Sequence, residues 1–140
     1  MIVYGFNSQC YKCRMNTYYY TYLIYNEYHL DVEFPIDFNF MRRVYAEMPI
    51  HKDDPFFDLD SDELNYPVMV LGDNDYMDDM IIKSGFFPNI KKVKTRLSTK
   101  HYAANTCENC GALLGNYHLR ELITDKFLKT NRPMERVRIL

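Results

Sequence analysis

Cys10-Tyr11-Lys12-Cys13, near the start of the chain, and Cys107-Glu108-Asn109-Cys110-Gly111, in its last third, are the stretches whose reading decides the fold. A CxxC pair lets two sulfurs turn toward one point at the tip of a tight turn. Glycine after the second cysteine supplies the positive φ that such a knuckle often needs, because it has no Cβ to clash. Two knuckles brought together make a tetrahedral set of four thiolates, which is closed to further ligands and therefore structural. The expected cofactor is one structural Zn2+ held by Cys10, Cys13, Cys107 and Cys110. Lys12 and Arg14 flank the first knuckle and can offset the negative charge of the ligand set. His101 and His118 lie close in sequence to the second and are candidate hydrogen-bond donors to the thiolates. A thioredoxin-like redox pair, disulfides and an iron–sulfur cluster are the competing readings. The first pair runs into β-rich sequence and not into a helix, which disfavours the redox reading.

Ordinary ribbons separate their pairs by about 15–20 residues, whereas here residues 14–106 intervene. The expectation is an α+β fold. A small antiparallel sheet carries the zinc-ribbon site of four cysteines, and a long helical and acidic insertion is placed between the knuckles. One domain spans 1–140, with ribbon halves 1–30 and 91–140 and an insertion over 31–90. The staple requires the first and last strands to lie side by side.

The local patterns fill in this outline. Residues 1–6 read as a short strand, and the tyrosine-rich 17–30 is β-branched and aromatic, as a strand or hairpin requires. Asp37 can cap a helix over 38–48, which Pro49 would end. A short strand at 68–71 and a turn at Gly72-Asp73-Asn74 precede a helix over 75–84. That helix buries Tyr76, Met77, Met80 and Ile81 and stops at Gly85. Residues 91–97 alternate like an edge strand, residues 119–128 have helical spacing, and 135–140 alternate like a final strand.

The knuckles, read as Tyr102-Ala103-x-Asn105-x-Cys107-x-x-Cys110-Gly111-Ala112-x-x-Gly115-Asn116-Tyr117-x-Leu119 with Cys10-Tyr11-Lys12-Cys13 upstream, resemble small zinc-ribbon proteins of bacteria and their phages. In that family the knuckles run C-W-x-C and C-x-x-C-G-A-x-x-G-D; this chain has Tyr11 and Asn116 where Trp and Asp are usual. The likeness covers about 20 residues. It implies the metal and the ribbon and no activity.

Charge divides the chain. Residues 1–85 hold 6 basic and 15 acidic side chains, whereas residues 86–140 hold 11 and 4. Such a division points to a charged partner or to mutual attraction within the fold. The acidic segment 53–79 makes Asp53, Asp54, Asp58, Asp60, Asp62 and Glu63 candidates for engaging a basic protein. Lys91, Lys92, Lys94, Arg96 and Lys100, with Tyr102, have the makings of a nucleic-acid face, although the pI near 6.1 argues against a strong nonspecific binder. Asp58-Leu59-Asp60-Ser61-Asp62 opens like a calcium loop and then fails, with Glu63 where Gly is needed and Met69 where a bidentate Glu is needed.

No HExxH, GxSxG or P-loop occurs, and no catalytic residue is assigned. No apolar run approaches the roughly 20 residues that span a bilayer, and the first ten residues do not read as a secretory signal. The expectation is a cytoplasmic, non-enzymatic, zinc-stabilised module that binds a protein partner, with no small-molecule substrate. By analogy with phage and mobile-element proteins of this size, it adapts or inhibits host machinery. A nucleic-acid-binding ribbon using 91–138 is the alternative, and an enzyme of unknown class the third.

Overall fold

The computed structural model describes residues 1–25, 30–31, 33–34 and 68–140. The expected helix over 38–48 and the candidate partner residues Asp53, Asp54, Asp58, Asp60, Asp62 and Glu63 lie outside the described residues. Those that are described form an α+β fold of three small sheets, all paired antiparallel, and two helices.

Strand β1 (Ile2–Gln9) turns through the first knuckle into β2 (Asn16–Thr21), with Gln9 opposite Asn16 and Tyr4 opposite Thr21. On its other side β1 pairs with β9 (Glu135–Ile139), Ile2 facing Ile139, with a bulge at Val3/Tyr4. First and last strands therefore lie side by side, although the second knuckle is not carried by the last strand. The stretch 17–30, expected as a strand or hairpin, is divided between two sheets: β2 ends at Thr21, and β3 (Ile24–Tyr25) joins a second sheet between β4 (Leu30–Asp31) and β5 (Val68–Met69). The third sheet orders β6 (Ile90–Val93), β7 (Tyr102–Thr106) and β8 (Leu113–Leu114), and the second knuckle is the β7–β8 turn. The expected edge strand over 91–97 is shorter than its pattern, because a turn at Thr95–Ser98 ends it.

Two asparagines join the first and third sheets. Asn105, fully buried on β7, accepts from the Tyr20 N–H at 2.9 Å and donates to the Tyr20 C=O at 2.8 Å. Its side-chain amide thus stands in for a backbone partner along the edge of β2 and satisfies groups that would otherwise be buried unpaired. Asn89 donates to the Tyr18 C=O at 3.1 Å from the same direction.

Helix α1 (Asp75–Ser84) begins at Asn74, whose Oδ1 accepts from the Met77 N–H at 3.1 Å, and stops at Gly85 in the left-handed region. Met77 and Ile81 face the core as expected, Met80 is half-buried, and Tyr76 is exposed. The position that turns inward instead is Asp78. Its Oδ1 accepts from the Tyr22 hydroxyl at 2.8 Å and the Gly72 N–H at 3.0 Å, and these partners make room for a carboxylate on the buried face. Gly72 itself is constrained: φ is +98°, and a Cβ would sit 2.9 Å from the Ala103 carbonyl oxygen.

Helix α2 (Asn116–Ile123) buries Leu119 and Ile123 and runs into a π-helical turn over Thr124–Leu128. Phe127 of that turn meets Phe6 edge-on at 5.2 Å, and the core continues through Val3, Tyr4, Tyr19, Tyr22, Leu23 and Ile24. The tyrosines of β2 are packing residues on both faces, Tyr19 buried and Tyr18 and Tyr20 half-buried.

The charge division is matched within the fold. Lys92 pairs with Asp79 at 2.6 Å, Lys100 with Asp75 at 2.8 Å, Arg136 with Glu33 at 2.6 Å, and Arg120 with Asp73, each joining the basic to the acidic part of the chain. Exposed pairs of this kind contribute little individually. Their effect is to leave fewer charges free for a partner.

Candidate metal centre

Each knuckle is a short loop closing a β-hairpin, and the two are built alike. Cys10 ends the approach of β1: its N–H donates to the Met15 C=O at 2.9 Å, and its C=O accepts from the Arg14 N–H at 3.0 Å. Cys107 repeats this after β7, its N–H donating to Ala112 at 2.8 Å and its C=O accepting from Gly111 at 2.9 Å. The Lys12 N–H points at Cys10 Sγ and the Asn109 N–H at Cys107 Sγ, both at 3.4 Å. Arg14 and Gly111 occupy the left-handed region at equivalent positions, with φ of 63° and 74°.

The loops are held against each other by groups other than sulfur. Thr17, buried on β2, accepts from the Glu108 N–H at 3.1 Å, and the Asn109 side-chain amide donates to the Asn16 C=O at 3.0 Å. Across this junction Cys10 Sγ lies 3.7 Å from Cys110 Sγ, and Cys13 Sγ lies 3.7 Å from Cys107 Sγ. All four sulfurs fall within 4.8 Å of one another, close enough to ligate a single metal ion. All four cysteines are free. The first cysteine of each knuckle is buried, Cys13 is half-buried, and Cys110 faces solvent.

Protons are unevenly shared in this cluster. Hydrogen bonding from the Cys13 backbone is the largest influence on Cys10 and lowers its pKa. At Cys107 burial opposes ionisation, but the Cys110 and Asn109 amides and the thiols of Cys10 and Cys13 outweigh it and bring the pKa to about 6. At Cys13 the Met15 amide favours the thiolate, yet burial and the three neighbouring sulfurs push the thiol up to about 11. Four crowded thiols cannot all ionise without a cation among them.

The flanking residues named from sequence contribute differently. Lys12 and Arg14 act through their backbones, and both side chains are exposed. His118 sits on the exposed side of α2 with Nδ1 3.4 Å from Glu121 Oε2, and His101 is an exposed residue just before β7. Neither histidine donates to a sulfur. The basic set is spread out: Lys91 and Lys92 are on β6, Lys94 and Arg96 in the following turn, and Lys92 and Lys100 are paired with α1. Tyr102 is half-buried on β7. Sequence reasoning missed Thr17 and Asn109, which orient the second knuckle. A threonine in a tyrosine-rich strand carries no signal of such a role.

The chain matches no protein-family model, no curated protein and no solved structure, so the centre is read from its own geometry.

Proposed function

We propose that the four thiolates hold one structural Zn2+ and that the chain is a non-enzymatic, zinc-stapled module for binding a protein partner. The observation that carries the zinc reading is the pair of cross-knuckle sulfur distances. Four sulfurs at the Zn–S bond length of about 2.3 Å lie about 3.8 Å apart along each tetrahedral edge; the two cross-knuckle contacts are both 3.7 Å. A closed set of four protein ligands leaves no position for substrate or water, so the ion's part is to stabilise the fold. The residues around it supply amide N–H groups to the sulfurs and fix the loops.

The partner reading is favoured over the nucleic-acid reading by the ion pairs. Lys92 and Lys100 are already matched by Asp79 and Asp75, which leaves Lys91, Lys94 and Arg96 as the part of that face without an ion pair among the described residues. An adaptor or inhibitor acting on other proteins is the role in keeping with a small stapled scaffold that carries no assigned catalytic group.

The test is metal stoichiometry with chelator unfolding. Protein purified without added metal should carry one zinc per chain, and removing it with a chelator should abolish the cooperative thermal transition. A metal-free preparation with the parental transition would defeat the proposal.

A further inference from the structure

Beside the four cysteines runs an open, largely apolar surface. One cleft, of about 910 Å³, is bounded by the Thr95–Lys100 turn, Tyr102 of β7 and the start of α2. A second, of about 590 Å³, continues along α2 to Glu121 and Asp125. The two adjoin at Tyr11, Leu113 and His118, and together they make a groove past the tip of the first knuckle. Three large side chains on it are left to water: Leu97 is 97% exposed, Tyr117 66% and Tyr11 60%. Exposed apolar residues gathered along one concave surface mark an interaction site more often than scattered ones do.

The groove is also electrically polar along its length. Arg96, which makes no ion pair among the described residues, and Lys100, which is held by Asp75, lie at the turn end. Glu121, with His118 Nδ1 3.4 Å away, and Asp125, paired with Lys129, lie at the other end. A nucleic-acid strand is negative throughout and would meet repulsion at the Glu121 end. A peptide can carry opposite charges at its two ends.

We propose that this groove binds an extended segment of a protein partner, acidic where it meets Arg96, aromatic or aliphatic over Tyr11 and Tyr117, and basic where it meets Glu121. The proposal rests on the protein-binding reading above and adds the site and the chemistry of the ligand. The aromatic side chains supply rigid contact area at low entropic cost, and the end charges set the direction of the peptide. Because Tyr11 lies between two metal ligands, a partner seated here also packs against the metal loop.

The experiment is selection of a displayed library of random dodecapeptides on the zinc-loaded chain. Tyr117→Ala and Arg96→Glu serve as counterscreens, and twelve-residue oligothymidylate as the nucleic-acid probe. Both variants should keep one zinc per chain and the parental melting temperature, which separates loss of the groove from loss of the fold. The expected result is a consensus with an acid at one end, apolar residues centrally and a base at the other. Its affinity should fall about tenfold or more on Tyr117→Ala, and Arg96→Glu should select a base in place of the acid.

Peptides enriched equally on the parent and both variants would overturn the groove while leaving a protein-binding module standing. Tight, salt-sensitive binding of oligothymidylate lost on Arg96→Glu would overturn the peptide as occupant. Self-association abolished by Tyr117→Ala, with no peptide enriched, would overturn it too and assign the surface to a second copy of this chain. No enrichment, no oligonucleotide binding and a monomeric chain would overturn the groove as a binding site altogether.

Discussion

The two cysteine loops share one backbone and almost no sequence. Cys10–Met15 and Cys107–Ala112 close with the same pair of main-chain hydrogen bonds, aim an amide at the first sulfur from the same offset, and carry a left-handed residue just before their last position. Between the cysteines one reads Tyr-Lys and the other Glu-Asn, and the left-handed position is arginine in one and glycine in the other. What the loops have in common is the placement of cysteines within a hairpin turn. What differs is how each is tied to the body of the fold. The second knuckle is held by Thr17 and, through Asn109, by the Asn16 carbonyl; the first has an exposed bond from Gln9 Nε2 to the Arg14 C=O at 2.9 Å.

The equivalence of the loops meets its hardest test at the buried sulfurs. Cys107→Ser and Cys10→Ser should each lower stability by more than about 3 kcal/mol and release the metal, because ion binding is part of the folding free energy. Thermal melts with zinc assays would compare them. If one variant melts like the parent and the other is unfolded, the loops are not equivalent ligands.

Asp78 has no counterpart in either loop and places a buried carboxyl apart from the cysteine cluster. Desolvation raises its pKa from 3.8 to about 6, against the pull of the Gly72 amide, the Tyr22 hydroxyl and the Ala103 amide. Because the folded-state pKa is the higher one, its contribution to stability is fully present below 3.8 and is lost as pH rises through about 6. Relative to the parent, Asp78→Asn should therefore become more stable between about pH 4 and 7, by about 3 kcal/mol at most. Protonation of the cysteine cluster, with release of any metal it holds, would affect both proteins, so the difference between them is the quantity to measure. A difference that stays flat with pH would show that the carboxylate is not desolvated.

Thr17→Val removes the acceptor for one amide of the second knuckle alone. We expect a cost of about 1–2 kcal/mol and metal affinity weakened by about tenfold. Gln9→Ala, the nearest equivalent on the first knuckle, is exposed and should cost under about 0.5 kcal/mol. Competition with a zinc chelator would rank the two, and the reverse ranking would contradict the asymmetry described here.

The smallest effects come from the left-handed residues, and they should have opposite signs. A Cβ on Gly111 meets nothing within 4 Å, so Gly111→Ala should cost about 1 kcal/mol from backbone conformation alone. Arg14→Gly relieves that same conformation, offset by the greater freedom of the unfolded chain, and should stabilise by about 0.5 kcal/mol. Denaturant titration resolves both. Equal signs would mean that the loops are not matched in conformation.

How much of this was legible in the sequence depends on whether the signal was local. The knuckles, the positive φ at Gly111, and the Asn74 turn with its helix ending at Gly85 are set by residues within a few positions, and all could be read directly. The need to bring four sulfurs together predicts that the first and last strands are adjacent; they are, but the sulfurs meet through β2 and β7 instead. Three features were hidden. The stretch expected as a strand or hairpin through 17–30 divides after Thr21, because Ile24 and Tyr25 pair locally with Leu30–Asp31 and also with Val68–Met69 far along the chain. The inward turn of Asp78 depends on Tyr22 and Gly72 being nearby in space. Asn105 reads as a polar interruption in Tyr-Ala-Ala-Asn-Thr, and its role exists only once Tyr20 lies opposite. For the site, the four cysteines were identified and the threonine and asparagine that orient them were not, since nothing near Thr17 in sequence marks the loop that it holds.

Zinc-edge X-ray absorption on the purified, undenatured protein addresses the centre most directly, because it counts the ligand atoms and their distances without altering the chain. The account predicts a single shell of four sulfurs at about 2.3 Å and no nitrogen or oxygen neighbour. A shell containing light atoms, or a chain without metal whose Cys10 and Cys107 thiols react freely, would contradict it.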